Sequence, residues 1–113
     1  MSVVSKDNAE HYIWGGNCDS WHLAKSAKLS VIQECIPSGA SEVSHYHHES
    51  EQFFYVLSGK AMFEISNKLH QIESNQGIHV PAGALHKISN LTEQELHLLV
   101  ISTPPSHADR VDV

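Results

Sequence analysis

No window of a dozen residues in this chain keeps the 3.6-residue apolar repeat of an amphipathic helix; short apolar runs separated by Gly, Pro, Asn and Ser fill it instead. That pattern leaves an all-β fold. Ten strands are predicted, at Tyr12 to Trp14, Trp21 to Leu23, Leu29 to Ile36, Glu42 to His47, Gln52 to Leu57, Lys60 to Ile65, Leu69 to Glu73, Gly77 to Val80, His86 to Asn90 and Glu95 to Ser102. So many short strands in 113 residues imply one small barrel or sandwich spanning residues 1–113, with no room for a second core. Ser58-Gly59 and Ser66-Asn67-Lys68 read as the turns of two hairpins. The tail over residues 103–113, with Pro104-Pro105 near its start, cannot join a central strand and is expected to lie over the surface or reach a neighbouring subunit.

Composition narrows the function classes. Hydrophobic residues at 41% and charged residues at 18% are globular values, which argues against disorder and coiled coils. A formal charge of −6, with the seven basic residues scattered, is poor equipment for nucleic acid or an anionic membrane surface. Phe53 to Leu57 and Leu96 to Ile101 are too short to cross a membrane, and no basic-then-apolar leader pattern opens the chain, so a cytoplasmic location is expected. Cys18 and Cys35 lack metal or redox spacing and read as free thiols. Histidine is the outlier: adding ten positive charges to −6 gives +4, so the charge changes steeply below neutral pH.

The segment from His45 to Gly59 and the segment around His86 carry the chemistry. Strand side chains alternate faces, so His45 and His47 point the same way while Tyr46 points away. In the next strand Gln52, Phe54 and Val56 share one face and Glu51, Phe53 and Tyr55 the other, so only one of Glu51 and Gln52 can face the histidines. A third imidazole arrives where the Pro81-x-Gly83 turn presents His86 at the start of a strand. Three imidazoles plus one amide or carboxylate oxygen form a mixed N/O set suited to one divalent first-row ion (Fe, Mn, Ni, Co or Zn), with positions left for water or substrate. His48 is expected in a loop and His79 turned away from the interior. On the strand before Gly39, the face of Val31, Gln33 and Cys35 is read as inward, making Gln33 a candidate pocket residue together with Phe54 and Phe63. Trp14 and Trp21 are expected to cover the barrel or a subunit contact.

At these residues the chain resembles the cupin superfamily. Gly39, His45, His47 and Gly59 match its first motif, and Pro81, Gly83, His86 and Asn90 its second; together the motif segments cover residues 39–59 and 77–90. The chain departs from the pattern at Asn75, where a Gly is usual but Asn tolerates the same left-handed turn, and at Gln52, where an acid is usual. Counting back from Gly59 makes Gln52 the fourth ligand beside His45, His47 and His86; a one-residue bulge would bring in Glu51 instead. The resemblance implies a jelly-roll-like antiparallel β-barrel that pairs as a homodimer and binds a small-molecule ligand, without nucleic acid or membrane as partner.

With Gln52 as ligand the site keeps the ion's +2 charge, which favours an anionic substrate or a polarised carbonyl. The spacing is similar to that of the monocupins that help open the ring of 4,5-unsaturated uronates, so a Lewis-acid isomerase-type enzyme on a sugar, uronate or other oxygenated acid is the first expectation. A dioxygenase and a non-catalytic binding or sensing module are the alternatives, the latter because no second acid or base is evident on the metal face.

Overall fold

The computed structural model describes residues 2–113. It contains eleven strands: β1 Glu10–Trp14, β2 Cys18–Lys25, β3 Ser30–Ile36, β4 His45–His47, β5 Glu51–Ser58, β6 Lys60–Ile65, β7 Lys68–Glu73, β8 Gly77–Val80, β9 His86–Ser89, β10 Leu96–Thr103 and β11 Arg110–Asp112. They form two antiparallel sheets, in the orders β1-β2-β3-β10-β5-β8 and β11-β4-β9-β6-β7. The inner faces of both sheets supply the core, with Ile36, Phe63, Leu96, Leu98 and Val56 fully enclosed and Ile88 nearly so. Burying such side chains is the main source of stability, at roughly 1.5–3 kcal/mol each. No helix among the described residues is long and apolar enough to cross a membrane.

Ser66 and Asn67 form a two-residue hairpin turn between β6 and β7, both with positive φ, as the primed turns require. Ser58-Gly59 is not the hairpin its sequence suggests. β5 pairs with β8 and β10 while β6 pairs with β7 and β9, so the chain crosses there from one sheet to the other. Gly59 is required at that corner, because at φ 89° a Cβ would stand 2.6 Å from the Glu95 carbonyl oxygen. Asn75 takes the left-handed conformation expected of it, at φ 65°.

The tail departs most from expectation. Beyond Pro104-Pro105 it returns as β11 and pairs along β4, with Arg110 opposite His47 and Asp112 opposite His45. It is an edge strand, as its composition requires, but it lies beside the histidine strand rather than over an unrelated surface. Asn90 is fully buried, donating to the Ile36 and Gln94 carbonyls and accepting from Thr92, so this second-motif residue builds a turn.

Candidate metal centre

β4 and β9 lie side by side with His45 opposite His86, and alternation along β4 turns His47 to the same side as His45. The three rings are buried, their centroids 4.3–5.5 Å apart, and one donor nitrogen from each lies within 4.8 Å of the others. Each Nδ1 meets a backbone carbonyl: Val43 at 2.8 Å for His45, Ala84 at 2.9 Å for His86 and Asp109 at 3.1 Å for His47. Opposite a carbonyl the ring nitrogen must donate, so all three Nδ1 carry the proton and all three Nε2 present lone pairs. Burial holds each imidazole below its ordinary pKa, His45 down to about 4, so the rings stay neutral through the physiological range.

Gln52 enters from the facing sheet. β5 runs without a bulge at this point, pairing Gln52 with Ser102 and Glu51 with Thr103, so the bulged alternative is not adopted. Gln52 Nε2 donates to Ser102 Oγ at 3.0 Å, which fixes the amide with its Oε1 turned the other way. Glu51 points outward and lies 3.7 Å from His79 on the exposed surface. His47 Nε2, His86 Nε2 and Gln52 Oε1 are buried without any protein partner, an arrangement that costs about 1–3 kcal/mol per atom unless a donor or a cation takes up their lone pairs. Three imidazole lone pairs and an amide oxygen fit a divalent first-row ion.

His45, His47 and Gln52 open onto a cavity of about 220 Å³ whose walls include Tyr12, Trp14, Ile32, Glu34, Glu42, Phe54, His107 and Arg110. Phe54 lies in the wall as expected. Phe63 does not; it is wholly buried behind Phe54, 4.8 Å away ring to ring, and belongs to the core. Gln33 is also misplaced by the sequence reading, because β3 has the opposite phase: Ile32 and Glu34 line the cavity and Gln33 faces away. Trp14 lines the cavity and donates from Nε1 to Ser20 Oγ at 2.8 Å.

Sequence reasoning missed two interior acids. Glu34 Oε2 accepts a hydrogen bond from Ser20 Oγ at 3.1 Å, and Glu42 Oε1 accepts from the Ile88 amide, also at 3.1 Å. Burial lifts the Glu34 carboxyl to about 7, against the opposing pull of Ser20 and Arg110. Burial and then the charge of Glu34 lift Glu42 to about 8. Near neutral pH Glu42 therefore keeps its proton while Glu34 exchanges one, both facing the same cavity as His45 and His47.

With this geometry in view, a family comparison is decisive: residues 32–102 match the cupin domain family. The chain is a cupin. It is 30% identical over 89 residues to the uncharacterized protein MJ1618 of Methanocaldococcus jannaschii, an alignment covering 78% of this chain and 71% of that one. The structure of KdgF from a Halomonas species superposes with a TM-score of 0.86 at 16% identity, over 96% of this cupin and 97% of KdgF. A putative sugar phosphate isomerase from Acidithiobacillus ferrooxidans gives 0.74 at 26% identity, over 87% and 69% of the two chains. Within this cupin the matched segment holds every candidate ligand and both interior acids, whereas Tyr12, Trp14, His107 and Arg110 come from outside it.

Proposed function

We propose that this cupin is a metal-assisted proton-transfer enzyme, of isomerase type, acting on a small oxygenated organic acid. The observation that carries this reading is the presence of Glu34 and Glu42, two carboxyls titrating near neutrality, in one cavity with His45, His47 and Gln52 of the candidate donor set. A general acid or base works best when its pKa lies near the operating pH, and both side chains meet that condition.

A divalent ion held by His45, His47, His86 and Gln52 would supply Lewis-acid stabilisation to a substrate oxygen that gains negative charge. The remaining work falls to the chain's own residues. Ser20, steadied by Trp14, holds Glu34 Oε2 in place and leaves Oε1 for substrate. From there Glu34 takes a proton from a carbon next to a carbonyl and returns it to the neighbouring carbon. Glu42, tied to the Ile88 amide, keeps its proton longer and donates a hydrogen bond to the substrate. Arg110 brings a positive charge to the same wall for an anionic group. Phe54, Ile32 and Trp14 supply the apolar surface that limits water. The cavity lies below the roughly 300–1,000 Å³ usual for drug-sized ligands, which suits a compact sugar acid or hydroxy acid. The likeness to a putative sugar phosphate isomerase agrees with this class.

The test is a panel of hydroxy-keto acids, uronates and sugar phosphates incubated with metal-loaded protein in deuterium oxide and followed by NMR. Exchange of a carbon-bound proton that disappears in Glu34→Gln, with the metal content unchanged, is the expected result. Metal-dependent oxygen uptake with no such exchange would overturn it in favour of oxygenase chemistry.

A further inference from the structure

On the outer face of the six-stranded sheet, three adjacent strands bring a second set of donors together. Cys35 on β3 is paired in register with His97 on β10, and on its other side with Asp19 on β2. Side chains directly opposite across antiparallel strands project to the same face. Glu95, just before β10, folds back over this pair. We propose that Cys35, His97 and Glu95 form a second metal site, selective for zinc.

The distances carry the argument. Cys35 Sγ lies 3.8 Å from His97 Nε2, and that nitrogen lies 3.4 Å from Glu95 Oε1. All three donor atoms fall within 4.8 Å of one another. Ligands about 2.0–2.3 Å from a tetrahedral zinc stand roughly 3.3–3.8 Å apart, so the two closest separations already match a coordinated set. A thiolate, an imidazole and a carboxylate form a borderline-soft trio that suits zinc and excludes magnesium and calcium, which want oxygen alone. Asp19, held at 2.8 Å by His11, adds negative charge beside Cys35.

Access and protonation are consistent with such a site. The Cys35 residue is only 5% exposed, while the Glu95 side chain is 66% exposed and leaves an approach from solvent. Burial and the Glu95 charge hold the thiol in its protonated form, up to about 11, so zinc must displace a proton. Binding breaks the S–H bond, forms the S–Zn bond and releases that proton to water. This site shares no donor with the imidazole cluster, so it stands or falls independently of the proposed reaction.

Sulfur distinguishes the two sites. Cobalt(II) bound at Cys35 gives sulfur-to-metal charge-transfer absorption, whereas the imidazole cluster holds no sulfur. The expected result is that cobalt titration of the wild type and of Cys18→Ser shows this band, and that it vanishes in Cys35→Ser. His97→Ala should weaken it and abolish one of two zinc equivalents per chain measured after dialysis. His86→Ala should leave the band intact. Absence of the band in the wild type, its persistence in Cys35→Ser, or an unchanged zinc stoichiometry in His97→Ala would each overturn the proposal. If Cys35→Ser fails to fold, judged by circular dichroism, the substitution His97→Ala at a half-buried position decides the matter alone.

Discussion

The backbone carbonyl of Asp109 accepts the Nδ1 proton of His47, while the carboxylate of the same residue takes the amide protons of His48 and Glu49, at 3.0 and 2.8 Å. A third amide, from Ser50, completes the clip at 2.8 Å. One tail residue thus fixes the tautomer of a candidate ligand and the loop that follows it. The three amides, that of Glu49 foremost, hold the Asp109 carboxyl below its ordinary pKa, so the clip survives mild acidification.

Loosening this clip should be felt at the metal. Partners that orient a ligand typically contribute 10–100-fold to metal affinity, and because Asp109→Ala keeps the carbonyl that accepts from His47 but frees the following loop, it is expected to weaken binding by about tenfold, the low end of that range. A chelator-competition titration measures it. Equal affinity in the variant and the wild type would show that β4 holds His47 without help from the tail.

The fourth ligand can be assigned by a paired comparison. Gln52→Ala removes a buried amide oxygen without a protein partner, whereas Glu51→Ala removes an exposed carboxylate whose neighbour is His79. Metal content after dialysis should fall in the first variant and stay level in the second. The reverse order would mean that the bulged register operates in solution.

His86→Ala should lower metal content and thermal stability together when metal is supplied. At a free-ion level of 100 Kd, binding to the folded state contributes about 2.7 kcal/mol, which this variant forfeits. In chelator the two proteins should differ much less. Differential scanning calorimetry with and without metal separates the two contributions, and an unchanged metal-dependent shift would remove His86 from the site.

Glu42 gives the metal-free protein a pH signature. Its folded pKa is raised to about 8 from 4.5, so the folded state binds the proton more tightly and stability falls as pH rises from about 4.5 to 8. Glu42→Gln keeps the contact with the Ile88 amide without the charge. It is expected to match the wild type near pH 4 and to exceed it at pH 9 by several kcal/mol, up to about 5 kcal/mol. His45, with its pKa lowered, acts in the opposite sense, withdrawing stability as pH falls from 6.5 to about 4. Denaturant melts across this range provide the check, and a variant no more stable at pH 9 would refute the buried charge.

The clustering of His45, His47 and His86 was legible because strand alternation and one Pro-x-Gly turn bring the three imidazoles together without knowledge of the rest of the fold. Gln52 followed from the same alternation, counted back from Gly59. β3 defeated that logic: Val31 and Ile32 are apolar on opposite faces, as are Cys35 and Ile36, so periodicity alone gives no phase and Gln33 was chosen over Glu34. Only packing against β2 and β10 on either side decides it. Glu42 lies outside any strand, and β11 is a three-residue edge strand of mostly polar residues, too short to carry a periodic signal. Ser58-Gly59 shows a related limit, since a tight turn looks the same in sequence whether the next strand pairs back or joins the other sheet.

The cavity is built from two unequal inheritances. The segment shared with the cupin family brings the candidate ligands and the two interior acids, whereas β1 and the tail bring Tyr12, Trp14, His107 and Arg110. These terminal pieces occupy the edges of their sheets, where replacement disturbs few neighbours. A different cavity wall can therefore be built by changing the ends alone with the histidine cluster kept, and grafting another cupin's termini onto this barrel is the corresponding route to redesign.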